Sequence, residues 1–133
     1  SNVEDIKKIA HINESVEKKI KQLFPGPFTV ILKKKDNIPP ILTSGRENIG
    51  IRIPDNEICR KISMDFPITT TSANISGKKI PGSVEEIIMQ LDGKVDLIID
   101  AGVHKGIHST VIDMTVSPPK ILRSGAVIPD LKL

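Results

Sequence analysis

Pro25-Gly-Pro-Phe-Thr-Val-Ile-Leu32 is where the chain changes its period. Upstream, apolar residues recur at helical spacing, first Val3, Ile6, Ile9 and Ala10, then Val16, Ile20, Leu23 and Phe24. This spacing predicts a helix over 3–12, with Asn2 as N-cap and Glu4 and Asp5 in its first turn. A second helix follows Asn13 through Phe24. Pro25 and Pro27 cannot donate a backbone hydrogen bond, so the helix must stop there. Phe28–Leu32 is then a continuous apolar, β-branched strand broken by Thr29 alone.

Downstream, Lys33-Lys-Lys35 leads into a loop around Pro39-Pro40. Ile49-Gly-Ile-Arg-Ile53 reads as a buried strand, stopped by Pro54, with a helix from Asp55 to about Met64. Pro67–Thr71 reads as the next strand and 72–82 as a loop. Ser83-Val-Glu-Glu86 has the form of a capping box, opening a helix to Leu91 before a turn at Asp92-Gly93. Leu97-Ile-Ile99 reads as a short buried strand. Thr110–Met114 and Lys120–Leu122 read as a pair joined across Pro118-Pro119, and the remainder to Leu133 as tail. Helices alternating with strands early, and strands close together late, predict a mixed α/β fold.

With 133 residues, 38% hydrophobic and 26% charged, the chain fits one soluble domain over 1–126 with a tail at 127–133. Three Phe and no Trp or Tyr make the core aliphatic and leave no aromatic platform for stacking bases. A net charge of +3 suits anionic small molecules or weak RNA contact without requiring either. The single cysteine, Cys59, excludes an internal disulfide and a Cys-based zinc site, and reads as a small core residue in a reducing, cytoplasmic setting. No apolar run reaches the roughly 18 residues of a membrane span, so no membrane partner is expected.

Two segments carry unusual polarity. Ile68-Thr-Thr-Thr-Ser-Ala-Asn-Ile-Ser-Gly77 packs five hydroxyls and a carboxamide behind what reads as a buried strand end. His108-Ser-Thr-Val-Ile-Asp113 again joins hydroxyls to an apolar strand. Either segment can cradle a phosphate or carboxylate; the first can equally be a polar turn with a Ser or Asn cap, and Ser109 and Thr110 can be strand hydroxyls in a cross-strand ladder. Together they suggest one ligand cleft. Arg52, between Ile51 and Ile53, faces away from the core toward a cleft, a partner or water; a guanidinium suits bidentate capture of an anion. Arg123, leaving a strand end before Ser124-Gly125, is a candidate phosphate clamp, and Asp113 a candidate turn cap. His104 and His108 are separated by Gly106, which argues against a helical zinc site. The Walker and dinucleotide glycine patterns are absent from the sequence.

Six segments, in order from about residue 20 to 126, resemble the YrdC-like threonylcarbamoyl-AMP synthase family. They are Pro25-Gly-Pro-Phe-Thr29, Ile49-Gly-Ile-Arg-Ile-Pro54, Thr71-Ser-Ala-Asn-Ile-Ser-Gly77, Asp100-Ala-Gly102, Ser109-Thr-Val-Ile-Asp113 and Ile121-Leu-Arg-Ser-Gly-Ala126. The resemblance implies a twisted mixed β-sheet flanked by helices with a positively charged concave face. It also implies a nucleotidyltransferase that makes threonylcarbamoyl-AMP and pyrophosphate from L-threonine, bicarbonate or CO2, and ATP. That product serves the tRNA-modification machinery that makes threonylcarbamoyladenosine.

Carried over by motif, the resemblance implies that Arg52, Thr70 and Ser109 hold L-threonine. It assigns the nucleotide to Ser72, Asn74, the backbone near Ile80, and Arg123. Mg²⁺ is expected on the triphosphate, held mainly by phosphate oxygens. Where the family often has Thr four residues before the strand arginine, this chain has Asn48. The family's Pro-Thr-x-Thr-x-Tyr-Gly stretch and Lys-x-Arg motif are not in this sequence. The chain therefore reads as the carboxy-terminal two thirds of such an enzyme, inactive or very poor alone. Two other functions fit the same residues: a module binding double-stranded RNA, and a carbamoyl-transfer accessory domain like that of hydrogenase maturation proteins.

Overall fold

A computed structural model describes residues 1–103 and 107–130, so His104 and the last three tail residues lie outside the described residues. Contacts divide the chain into two units, one of 1–68 with 108–133 and one of 69–107.

The first unit is built around strand β2, Phe28–Lys34. Helix α1, Val3–Ile9, precedes it and begins in a full capping box: the Asn2 side chain accepts from Asp5 N–H, and Asp5 accepts from Asn2 N–H. The helix predicted to Ile12 ends at Ile9, because Ala10–His11 instead form a two-residue strand, β1, paired with Lys34 and Lys33. Helix α2, Glu14–Leu23, is capped by Asn13 as expected. After a 3-10 turn at Pro40–Thr43, β3 spans Asn48–Ile51. Helix α3, Glu57–Ile62, is capped by Asn56 and stops short of Met64. Strands β4, Thr110–Asp113, and β5, Lys120–Arg123, complete the unit.

β2 pairs antiparallel with β3 and parallel with β4, and β4 pairs antiparallel with β5. Val30 is the partner of both Ile51 and Ile112, so β3 and β4 must flank β2 on opposite edges. The order across the sheet is thus β3-β2-β4-β5, a mixed sheet as the sequence predicts. Alternate residues Phe28, Val30 and Leu32, with Ile51, Ile112 and Met114, make one buried face. Ile6 of α1, Ile20 and Leu23 of α2, and Phe24 just after it cover that face. The other face carries Thr29, Ile31, Val111 and Asp113, all half-buried, and no described helix contributes a buried residue to it.

The second unit consists of the 69–82 segment, helix α4 over Val84–Leu91, and the 92–103 segment. None of its described residues is buried. Four expectations fail, the last of them in part. Pro67–Thr71 and Leu97–Ile99 are not strands, and Ile68 and Leu97 are 42% and 78% exposed rather than buried. An apolar, β-branched run signals burial, but a strand also needs a neighbour for its backbone groups; among the described residues neither run has one. Cys59 is exposed on α3, which buries no residue at all. The box at Ser83 is half formed: Ser83 accepts from Glu86 N–H at 3.4 Å, but the Glu86 carboxylate takes the Gly82 N–H at 2.8 Å.

Candidate functional site

On the face of the sheet away from the core, the strand registers line up four side chains in one row. Thr29 pairs with Val111, and Val111 with Arg123. Continuing the Val30–Ile51 register by one residue sets Arg52 across from Thr29, and a Gly26 N–H to Ile53 carbonyl bond of 2.9 Å keeps the two segments together beyond it. The row therefore reads Arg52, Thr29, Val111, Arg123. At about 4.8 Å per strand, its end residues stand roughly 14 Å apart along the backbone. Two guanidinium-bearing side chains thus flank a short floor of Thr29 and Val111. Ile51 and Ile53 are buried while Arg52 is exposed, as the alternation predicts, and among the described residues Arg52 has no hydrogen-bond or ion-pair partner.

Ser109 sits beside this row, 7% exposed, and is held from three directions. Its hydroxyl lies 2.8 Å from the Thr29 hydroxyl. The Arg123 guanidinium grips its carbonyl with Nη2 at 3.0 Å and Nε at 3.3 Å, and Nη2 also reaches its hydroxyl at 3.3 Å. Arg123 is thereby oriented by its own fork geometry, and no described acceptor bonds its Nη1 hydrogens. The backbone around Ser109 is pinned as well. Thr110 N–H donates to Pro27 carbonyl at 3.0 Å, and Ala126 N–H to His108 carbonyl at 3.0 Å. The fully buried Thr110 hydroxyl donates to Val127 carbonyl and accepts from Gly125 N–H at 2.9 Å. Gly125 is required here, since a Cβ on it would overlap backbone atoms of His108, Ser109 and Thr110.

Asp113 accepts from Thr115 N–H at 2.8 Å and from its hydroxyl at 2.6 Å, so it caps the turn out of β4. Thr29 is the residue that sequence reasoning left out of the site. Its signal was present as the one polar interruption in an apolar strand.

Thr70, Ser72, Asn74 and Ile80 all belong to the second unit, where they lie on a loop that is exposed except at Asn74 and Ile75. Asn74 N–H bonds Ser72 carbonyl at 2.9 Å, and the Asn74 carboxamide donates to the carbonyls of Ile75 and Lys78, both at 2.9 Å. Both side-chain N–H groups of Asn74 are therefore committed to the loop itself. Its Oδ1 is buried without a partner among the described residues. Gly77 supplies the positive φ that closes the loop. Of the sequence-predicted residues, then, Arg52, Ser109 and Arg123 gather on the sheet of the first unit, while the other four share one loop of the second.

The Sua5/YciO/YrdC family model, described as telomere recombination, matches residues 1–125. The chain belongs to this family. The match extends ahead of the motifs, taking in α1 and β1 as well. A Methanocaldococcus jannaschii relative of this Sua5/YciO/YrdC chain is 46% identical over 130 residues, 97% of this chain and 61% of its own length. The threonylcarbamoyl-AMP synthase of Pyrococcus abyssi is 40% identical over 119 residues, 87% of this chain and 35% of its own. The structure of P. abyssi Sua5 complexed with L-threonine superposes with a TM-score of 0.87 at 38% identity, covering 94% of this chain and 38% of that one. The Sua5/YciO/YrdC chain described here thus spans less than two thirds of the length of these relatives.

Proposed function

We propose that this chain is the part of a threonylcarbamoyl-AMP synthase that holds L-threonine and the triphosphate of ATP. The observation that carries the reading is the row Arg52–Thr29–Val111–Arg123 with Ser109 beside it. Arg52 offers the threonine carboxylate a guanidinium that has no partner among the described residues. Ser109 and Thr70 supply hydroxyls for its polar groups. Arg123, held by Ser109, would offer phosphate the Nη1 hydrogens that no described acceptor takes. Ser72, Asn74 and the Ile80 backbone form the rest of the nucleotide set, Asn74 acting through the shape it gives the loop. Similarity to relatives named for this activity, and to a Sua5 bound to L-threonine, supports the same assignment.

The chemistry asks for position and charge rather than for a protein nucleophile. The threonine amine adds to CO2 with loss of a proton, or condenses with bicarbonate with loss of water, to give a carbamate. One carbamate oxygen bonds to the α-phosphorus of ATP, and the bond from that phosphorus to the departing pyrophosphate breaks. Holding the two reactants in line and balancing the charge on phosphate oxygens supply most of the acceleration. Among the described residues no three His, Cys, Asp or Glu side chains converge on a point that could hold a metal ion. Mg²⁺ would arrive on the phosphates and supply charge neutralisation there. No described helix is long and apolar enough to cross a membrane.

The activity belongs to the polypeptide of the relatives' length, and the 133-residue chain alone is expected to be inactive or very poor. The test is threonine-dependent pyrophosphate release by the full-length protein. Arg52→Ala is expected to raise the threonine KM, and Ser72→Ala to lower kcat/KM for ATP, each by about tenfold or more, roughly 1.4 kcal/mol. Unchanged threonine-dependent turnover in both variants would sink the assignment. An RNA-binding role would instead appear as affinity for duplex RNA falling steeply with salt, without threonine dependence.

A further inference from the structure

We infer that Gln90, on helix α4, is a positioning residue that sets the shape of the 72–80 loop and hence its affinity for the nucleotide; the inference rests on the reading of that loop given above. The Gln90 side chain leaves the helix and spans the loop. Its Oε1 accepts from Ile75 N–H at 3.1 Å, and its Nε2 donates to Lys79 carbonyl at 3.2 Å. The two backbone groups lie on either side of Gly77, whose positive φ turns the chain back on itself. A carboxamide is the side chain that can do this, since one end must accept and the other donate. The same requirement fixes which end is oxygen, because Ile75 presents a hydrogen and Lys79 a lone pair.

The loop needs such an external tie. Its internal bonds run between Asn74, Ile75 and Lys78, and they leave Asn74 Oδ1 buried with no donor, a cost that favours opening. No described residue of this unit is buried, so apolar packing is not what holds the loop closed. Gln90 fastens both limbs of the turn to the one described helix of the unit. Ser72 and the Ile80 backbone, proposed to meet phosphate, lie just outside the two fastened positions. Their spacing is therefore set by a residue that itself contacts no ligand.

The experiment compares wild type, Gln90→Met and Gln90→Glu in the full-length protein. It reads amide exchange at Ile75 by NMR and the affinities for a non-hydrolysable ATP analogue and for L-threonine by calorimetry. Gln90→Met keeps the length and removes both bonds. It is expected to speed Ile75 exchange by about tenfold or more and to weaken ATP binding by a similar factor, with threonine affinity within about twofold of wild type. Gln90→Glu retains the acceptor for Ile75 N–H and is expected to restore slow exchange at that amide. Unchanged Ile75 exchange in Gln90→Met overturns the clamp, and so does faster exchange with unchanged ATP affinity. Equal weakening of both ligands would make Gln90 a general structural residue and also overturns it. Wild-type protein that binds threonine but no ATP removes the nucleotide reading of the loop, and the inference falls with it, by a result distinct from the other three.

Discussion

The two units fasten their polar residues by different means. In the first, Ser109, Arg52 and Arg123 hang from a hydrogen-bonded ladder whose opposite face is sealed by α1 and α2. In the second, Ser72 and Asn74 hang from a loop tied to itself and to Gln90, with no buried residue beneath. The first arrangement is rigid because moving one residue means breaking paired strands. The second opens at the cost of a few exposed or part-buried bonds. Taken by itself, then, the sheet face is preformed, whereas the loop taken by itself can change its shape.

The contrast is most easily broken by paired substitutions. Ile112→Ala empties a fully buried position on β4 and is expected to cost about 2–5 kcal/mol in urea unfolding. Ile88→Ala on α4, at a position 43% exposed, is expected to fall within about 0.5 kcal/mol of wild type. Equal costs would mean that the second unit has a core of its own. Gly125→Ala comes next: its Cβ meets the backbone of His108 to Thr110, and overpacking of that kind costs about 1–3 kcal/mol. Because that backbone carries Ser109, threonine affinity by calorimetry should fall with stability. A variant that loses stability while binding threonine normally would detach Ser109 from the site.

The same contrast explains what the sequence disclosed. The α2 helix, the β2 strand and the β4–β5 pair were legible because period, Asn caps and proline stops all agreed there. The row of Arg52 and Thr29 follows from side-chain alternation once register is known, but register is a property of two strands and no single segment contains it. The strands expected at Pro67–Thr71 and Leu97–Ile99 failed for the complementary reason. Their composition is strand-like, yet the partner that would make them strands is not encoded within them. Gln90 was invisible too, since a glutamine on a helix gives no sign of which backbone it will reach.

Thr29→Val sharpens the comparison on the rigid side. The substitution keeps the β-branched shape and removes the hydroxyl 2.8 Å from Ser109. A lost hydrogen bond of this sort is worth about 0.5–1.5 kcal/mol. Threonine binding should weaken by up to about tenfold while ATP binding holds. Loss of both would indicate that Thr29 supports the sheet rather than the ligand.

The smallest expected effect asks whether polar fastening alone stabilises part of the rigid unit. Asp5 closes the N-terminal box of α1, and its carboxylate lies 2.8 Å from Lys8 Nζ and 2.6 Å from the Ser1 hydroxyl. The Lys8 ammonium foremost, and then the Ser1 hydroxyl, hold its pKa well below the usual carboxylate range. A carboxylate with a depressed folded pKa contributes stability above its unfolded value, about 4, and loses it as pH falls toward the folded one. Solvent around the pair limits the contribution to about 1 kcal/mol or less. Asp5→Asn should therefore be less stable than wild type at pH 6, with the gap closing as the pH is lowered toward 2. A constant gap would place the effect in the shape of the cap and not in its charge, leaving α1 fastened as the 72–80 loop is, by hydrogen bonds indifferent to pH.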